Sequence, residues 1–452
     1  MIKVQLVAHT NANPLELTSH AALICYQAEM PEVGKILDVE NRLFKVGHHT
    51  TLQHFFFTFA IEGIAVGDIT FGMHLASPFY NSDQRSGRYC AKMFTEPNFE
   101  EIKNYVKTFW PEVNEKNREE VMDYVKKGVG IYHDNISAAT ELAKTHTKEE
   151  RPYANEKYIE QNGPKIAQEQ MRSFIPVIFP TAFDFTINMT VLAALHRVAW
   201  TPVMRDVTQK MVDQVKEKFP EIAFMFAETD NHEWAISLEA DAEINAKYKP
   251  ALKLLGITGE ESFIMPEPKI MHPIDKLHFL PDMMDNSFGS IETEIEISVA
   301  TMGQDQRHRT IKRSKPKFTG NFYIPPIVKE LELETEAVEL MKKWAELSQK
   351  IPKTLSMILA PYGAMVSYKK NGSFNAIAHE HGKRLCWCAQ EEIYHVSRLL
   401  RLAINERNQN SPLLTMFEPG CYRTGICVEG SRYCGRNINI RKTGDYFPER
   451  KV

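Results

Sequence analysis

The order of patterned segments runs along this chain twice, and that repetition constrains the fold more than any single motif. In the first half, residues 3–8 alternate like a strand. Asn13-Pro14 then opens a helix carrying Leu15, Leu17, Ala22, Leu23 and Tyr26, and residues 55–61 form an aromatic, β-prone run. Residues 99–147 carry charged helical patterning, with Ile102, Tyr105, Val106 and Phe109 at helix spacing. An apolar run punctuated by proline follows at 174–180, then two consecutive helices at 188–198 and 202–218. The second half repeats this order. It has a strand at 291–302, a Glu- and Lys-rich helix at 325–350, an apolar run with a proline near its end at 355–362, and helices at 375–384 and 389–405. These patterns predict an α+β protein of two tandem copies, pseudo-dimeric, each with an antiparallel or mixed sheet and helices. The expected boundaries are 1–235 for the first copy, 236–284 for a proline-marked linker with a degraded start of the second, and 285–452 for the second copy with its tail.

Length agrees with this division, since 452 residues exceed one ordinary core. A net charge of −4 excludes a global basic field for nucleic acid, so any phosphate site must be local. No apolar run approaches transmembrane length, and the N-terminal strand lacks the core of a signal peptide. With seven cysteines and no secretory signal, reduced thiols and a cytoplasmic setting are expected.

Two segments carry the chemistry. Gln304 and Arg307-His308-Arg309 concentrate positive charge on one short stretch of the second half. Ser86-Gly87-Arg88-Tyr89 in the first half pairs small residues, which let backbone N–H groups approach a phosphate, with an arginine. Taken alone, an arginine-rich run reads more readily as a surface cationic patch or a salt-bridged helix. Together the two resemble the signature of flavin-dependent thymidylate synthases, in which an R-H-R segment and an S-G-R-Y loop follow one another in one short domain. His48, Thr50 and His54 match the family's H-x-T-x-x-E-H, with Gln53 in place of Glu. Gln84 stands where the loop usually has Glu. Arg172 matches a nucleotide-binding arginine, and Asn188 the asparagine of a helical N-x-R.

The losses are complementary. In the first half, the R-H-R position holds Ala76-Ser77-Pro78 and the helix arginine falls at Ala199. The second half has Lys317 at the loop serine and Met357 at the position of Arg172, yet keeps Arg384 and the run Ala389-Gln390-Glu391-Glu392-Ile393. The resemblance therefore implies one composite site drawing on both halves. It implies conversion of dUMP to dTMP with FAD as cofactor and methylenetetrahydrofolate and NADPH as co-substrates. Carried onto this chain, Arg384, Arg307 and Ser86 become the candidate catalytic residues, although no neighbour in sequence supplies a base to activate the Ser86 hydroxyl. Gln304, Gln84, Gly87, Arg88 and Arg172 become substrate-binding, and His48, Thr50, Asn188, His308 and Arg309 cofactor-binding.

A homodimer of these double-length chains would imitate the family's homotetramer. Gln84 and Lys317 keep open a hydroxymethylating or dCMP-directed relative, and a nucleotide- or flavin-binding protein without turnover is the reading from another class. The late cysteines, Cys386, Cys388, Cys421, Cys427 and Cys434, lack short C-x-x-C knuckles and are read as a reduced, packed tail with no metal.

Overall fold

The structure is a computed structural model. It describes all residues except 78, 88–89, 231, 233, 264–288, 428, 431–432 and 438–446. In the first half, β1 (Lys3–His9) leads into α1 (Pro14–Ile24). Proline suits the first turn of that helix, and the Asn13 side chain accepts from the backbone N–H groups of Leu15 and Glu16. β2 (Phe56–Ala65) buries Phe57, Phe59 and Ile61 at alternate positions, as a strand with one face on a core must. After β3 (Asn81–Gln84), the long helical stretch divides into α2 (Phe99–Phe109) and α3 (Glu115–Glu150). The break falls at Trp110-Pro111, where a proline restricts the residue before it, and Asn114 caps the next helix. α4 (Glu156–Met171), β4 (Pro180–Asn188), α5 (Met189–Val198) and α6 (Pro202–Lys218) complete this half. Its sheet is antiparallel, in the order β1-β2-β4-β3.

The second half follows with β5 (Asn245–Lys247), β6 (Ala251–Thr258), β7 (Ser290–Ser298), α7 (Val299–Asp305), β8 (Lys312–Arg313) and β9 (Lys317–Tyr323). It ends with α8 (Glu334–Ser348), α9 (Lys353–Ile358), β10 (Ala364–Ser373), α10 (Phe374–Arg384) and α11 (Glu391–Arg407). Its sheet runs β5-β9-β10-β7-β6, with β8 also on β10, and the β5–β9 pair alone is parallel. Within it, the path β6-β7-β10-β8 has the adjacency and antiparallel sense of β1-β2-β4-β3. Among the described residues, no helix is long and apolar enough to cross a membrane.

The two halves meet through a reciprocal contact. Val177 N donates to Ala360 O at 2.9 Å, and Tyr362 N donates to Ile175 O at 2.8 Å, on either side of a bridge between Pro176 and Pro361. Pro176 and Pro361 occupy matching places before β4 and β10, so each half gives the other what it receives, as across a two-fold axis. The adjoining helix starts repeat the pattern: Gly67 N donates to Val177 O, and Ala300 N to Tyr362 O. One continuous apolar core runs through this junction, joining Phe57, Phe59 and Ile178 to Val366, Leu355 and Trp344.

Several elements differ from the sequence reading. The strand expected at 291–302 stops at Ser298, whose hydroxyl accepts from Thr301 N and starts α7. The helix expected at 325–350 is broken before α8, where Glu332 takes a left-handed φ of 56°. β4 and β10, each an inner strand of its sheet, fall where the sequence patterns predict no strand. The stretch 236–284, expected as a linker with a degraded start of the second copy, holds β5 and β6, and β6 pairs with β7 as β1 pairs with β2; its residues from 264 onward lie outside the described ones.

Candidate functional site

The arginine at the end of α4 is where the two halves exchange polar contacts. Arg172, only 7% exposed, lies over the Tyr362 ring at 5.1 Å, and its Nη2 donates to Gln390 Oε1 at 3.2 Å. Gln390 precedes the first residue of α11, and its Oε1 also accepts from Gln304 Nε2 at the end of α7. The Gln304 carbonyl accepts from Arg384 Nη2 at 2.9 Å, and Arg384 Nε donates to His308 Nε2 at 2.9 Å. Arg172, Gln390, Gln304, Arg384 and His308 thus form one connected chain across the junction. Because a guanidinium only donates, His308 must accept at Nε2 and carry its proton on Nδ1. That Nδ1 is buried without a partner among the described residues. Burial first, and the Arg384 charge second, hold His308 well below the usual histidine range, so it is a neutral donor.

The loop after β3 packs against the same arginine. A Cβ added at Gly87 would lie 3.5 Å from Arg172 Nη1, and the Gly87 carbonyl accepts from Gln168 Nε2 at 2.5 Å. Ser86 and Gln84 are half-buried beside it. Arg88 lies outside the described residues. From the second half, Arg309 reaches β3: Nη1 donates to Asn81 Oδ1 at 3.2 Å, Nη2 to Ser82 O at 2.9 Å, and the guanidinium covers the Tyr80 ring. His74 meets Ser82 Oγ at 2.8 Å. Burial, then the Arg309 and Arg307 charges, push His74 down to about 3. Arg307 itself is exposed.

The remaining predicted residues lie toward the other end of the first sheet. His48 and Thr50 are exposed, at the start of the turn His49–His54. Asn188 is buried, and its Oδ1 is taken by Val191 N and Thr190 Oγ1 at 3.0 Å each, as the cap of α5. Met189 N donates to Phe55 O, which seats that helix start beside the His49–His54 turn. The loop after β3 leaves the sheet where Arg85 N meets Ala182 O. Asn188 lies six residues farther along β4, about 20 Å at the rise of a strand. The two groups of residues are therefore brought to one strand pair but not to one point.

Sequence reasoning missed what fixes the cationic turn. The buried Asp305 carboxylate meets Arg313 Nε, Lys370 Nζ and the Tyr368 hydroxyl, and Lys370 also meets Glu380 at 2.7 Å. Burial alone would raise Asp305, but Arg313 and Lys370 overcome it and hold the carboxyl well below its ordinary value. Arg313 then donates from Nη1 to the His308 and Ile311 carbonyls, pinning the turn that presents His308. No local spacing announces this network, because its members come from α7, β8, β10 and α10. Gln390 was visible only as part of the run after Arg384, and Gln168 carried no signal.

The matching place on the other side of the junction is closed. Phe71 follows Gly67 as Gln304 follows Ala300, Met357 precedes Pro361 as Arg172 precedes Pro176, and Ala199 follows Asn188 as Arg384 follows Ser373. The same count sets His74-Leu75-Ala76, rather than the expected Ala76-Ser77-Pro78, opposite Arg307-His308-Arg309. Phe71, Met357 and Ala199 are at most 2% exposed. Phe71 packs on Phe318 with ring centres 5.7 Å apart, and Phe318 on Trp344 at 4.9 Å. Where one side holds donors, the other holds core.

Residues 5–221 match the family model described as "Thymidylate synthase complementing protein". A curated flavin-dependent thymidylate synthase of Clostridium tetani is 24% identical over 241 residues, covering 49% of this chain and 85% of that protein. A solved thymidylate synthase X of Helicobacter pylori with FAD and dUMP is 18% identical, with a TM-score of 0.33, over 50% of this chain and 100% of its own. A second Helicobacter pylori structure with the same two ligands has the same identity and a TM-score of 0.32, over 50% of this chain and 98% of its own. Over residues 5–221, just under half of its length, this chain is thus similar to the thymidylate synthase complementing protein family.

Proposed function

We propose that this chain is a flavin-dependent thymidylate synthase made of two fused copies of one domain, with a single composite active site per chain. It converts dUMP to dTMP with methylenetetrahydrofolate as carbon donor and NADPH as reductant, and pairs with a second copy of itself. The observation that carries this reading is the contact chain from Arg172 through Gln390 and Gln304 to Arg384, which draws on both halves. The repeated strand adjacency and the reciprocal bridge at Pro176 and Pro361 support the duplication. Two halves that lose opposite contributions are what relaxed selection on one of two equivalent sites leaves behind.

Methylating the uracil ring at C5 requires that carbon to gain nucleophilic character, which is helped by stabilising negative charge on the ring's carbonyl oxygens. Arg384, mostly buried and held by His308 and the Gln304 carbonyl, is preorganised for that task without a covalent thiol. Burial lowers its pKa, yet a guanidinium starts so high that it stays charged. Arg172 and Arg307, with Arg88 beyond the described residues, supply charge for the phosphate. Gly87 leaves room for backbone to approach it, and Ser86, Gln84 and Gln304 add neutral hydrogen-bonding groups. Ser86 is placed with the substrate as a binding hydroxyl rather than as a nucleophile.

The residues present fit a bound FAD. Arg172 Nε, His308 Nδ1 and Arg309 Nε are buried donors without an acceptor among the described residues, which suits a ligand rich in phosphate and carbonyl oxygens. His308 and Arg309 would hold it near the junction and Asn188, Thr50 and His48 farther along β4, a spacing that an extended dinucleotide can span. When bound, the flavin supplies the hydride. The test is release of tritium from C5-labelled dUMP by purified protein with FAD, NADPH and methylenetetrahydrofolate. Release that disappears in both Arg172→Ala and Arg384→Ala supports the composite site. Release from labelled dCMP but not dUMP moves the substrate to another pyrimidine, and no release from flavin-loaded protein removes the enzyme reading.

A further inference from the structure

The late cysteines are the largest group of reactive side chains that the proposed site leaves unused. Of seven free thiols, Cys25 and Cys90 are exposed and the other five are half-buried. Those five, Cys386, Cys388, Cys421, Cys427 and Cys434, line one cavity of about 30 Å³, room for a single water or ion. Cys386 and Cys388 sit on the loop between α10 and α11 and hydrogen-bond each other; the other three come from the tail beyond α11. Two separate segments thus bring their thiols to one place, which the wide sequence gaps concealed.

The surroundings are electrically unbalanced. Arg436 lines the same cavity, is 4% exposed and lies 4.1 Å over the Trp387 ring; the neutral Tyr394 hydroxyl approaches its guanidinium, but neither Nη atom makes a well-formed hydrogen bond among the described residues. Arg151, 3% exposed at the end of α3, lies close enough to Cys388 and Cys434 for its charge to act on both, and its Nε also lacks a partner. Arg151 Nη1 does donate to the Tyr158 hydroxyl at 2.8 Å, but buried guanidinium groups with donors left unmet are costly. Four thiolates around a divalent cation carry a net charge of about −2 and present sulfur acceptors, which would answer both arginines.

We infer that the tail closes around one thiophilic divalent cation, zinc by the all-sulfur donor set, held by Cys421, Cys427, Cys434 and one thiol of the Cys386/Cys388 pair. Among the described residues, no three such donors already stand at ligating distance from one point, so the ligand set tightens on binding, as where metal binding and folding are coupled. The ion also clamps the loop that runs from Arg384 to Gln390, the two ends of which enter the candidate site. The inference stands whether or not the nucleotide reading does.

The experiment is metal analysis of the purified full chain, followed by cobalt substitution. About one zinc per chain is expected, released by a thiol-blocking mercurial, and cobalt in its place should show the intense sulfur-to-metal absorption of a tetrathiolate. Cys421→Ser and Cys434→Ser should each lose the metal, whereas Cys25→Ser with Cys90→Ser should keep it. Circular dichroism of each variant separates loss of metal from loss of fold. Metal-free protein that takes up neither zinc nor cobalt on titration overturns the inference. So does metal that survives in folded Cys421→Ser and Cys434→Ser proteins.

Discussion

At the end of the helix that follows β2, the first half places Phe71 against Phe318; at the end of α7, the second half places Gln304 against Gln390. The same comparison holds one layer out, where Met357 is fully buried and Arg172 is buried but hydrogen-bonded. A cleft that must hold a charged ligand keeps donors with unmet capacity, and such groups are costly when nothing binds. Its counterpart is filled with apolar side chains, each contributing burial instead. One framework therefore supports two opposite solutions, and substitutions on the two sides should fail in opposite ways.

The largest effect belongs to the polar side. Arg384→Ala and Arg172→Ala should each lower kcat by about 10²–10³ while leaving the folded fraction near that of the wild type, measured by tritium release and by circular dichroism. On the closed side, Phe71→Ala should cost about 3–5 kcal/mol in chemical denaturation, with turnover per folded chain retained. Equal loss of turnover from Phe71→Ala would mean that the closed cleft still acts. At the junction, Gly67→Ala places a Cβ 2.9 Å from Ile358 and Val177 side-chain atoms, so it should cost about 1–3 kcal/mol by overpacking.

The smallest effect is one of pH. The halves use the same acid–hydroxyl contact in reverse: Asp68 faces Thr201 in the first, and Glu392 faces Thr301 in the second. Burial pushes Asp68 up to about 7. Between its ordinary value and about 7 the folded chain holds a proton that the unfolded chain has released, so the Asp68 contribution to stability falls as pH rises. Asp68→Asn removes this dependence. Its melting temperature relative to wild type should climb from pH 4 to about pH 7 and then level off; a difference independent of pH contradicts the assignment.

How much of this was legible beforehand follows from which interactions are local. The Asn13 cap, the α5–α6 pair and the motif arginines were readable because each rests on residues close in sequence. The contribution of Arg172 and Arg384 to one place was inferred from complementary losses, and the contact chain through Gln390 supplies its geometry. β4 was hidden because Pro180 and the helix pair behind it drew the eye from the alternation of Phe183, Phe185 and Ile187. The Asp305 network and the reach of Arg309 to Asn81 join residues far apart in the chain, and no spacing rule encodes such pairs. The five late cysteines stood out as a group in the sequence, but that they line one cavity depends on two separate segments meeting.

The most direct test of a single composite site is calorimetric titration of the flavin-loaded chain with dUMP. One nucleotide bound per chain, with binding lost in both Arg172→Ala and Arg384→Ala, is the predicted result. Two nucleotides per chain, or binding that survives either substitution undiminished, would contradict it.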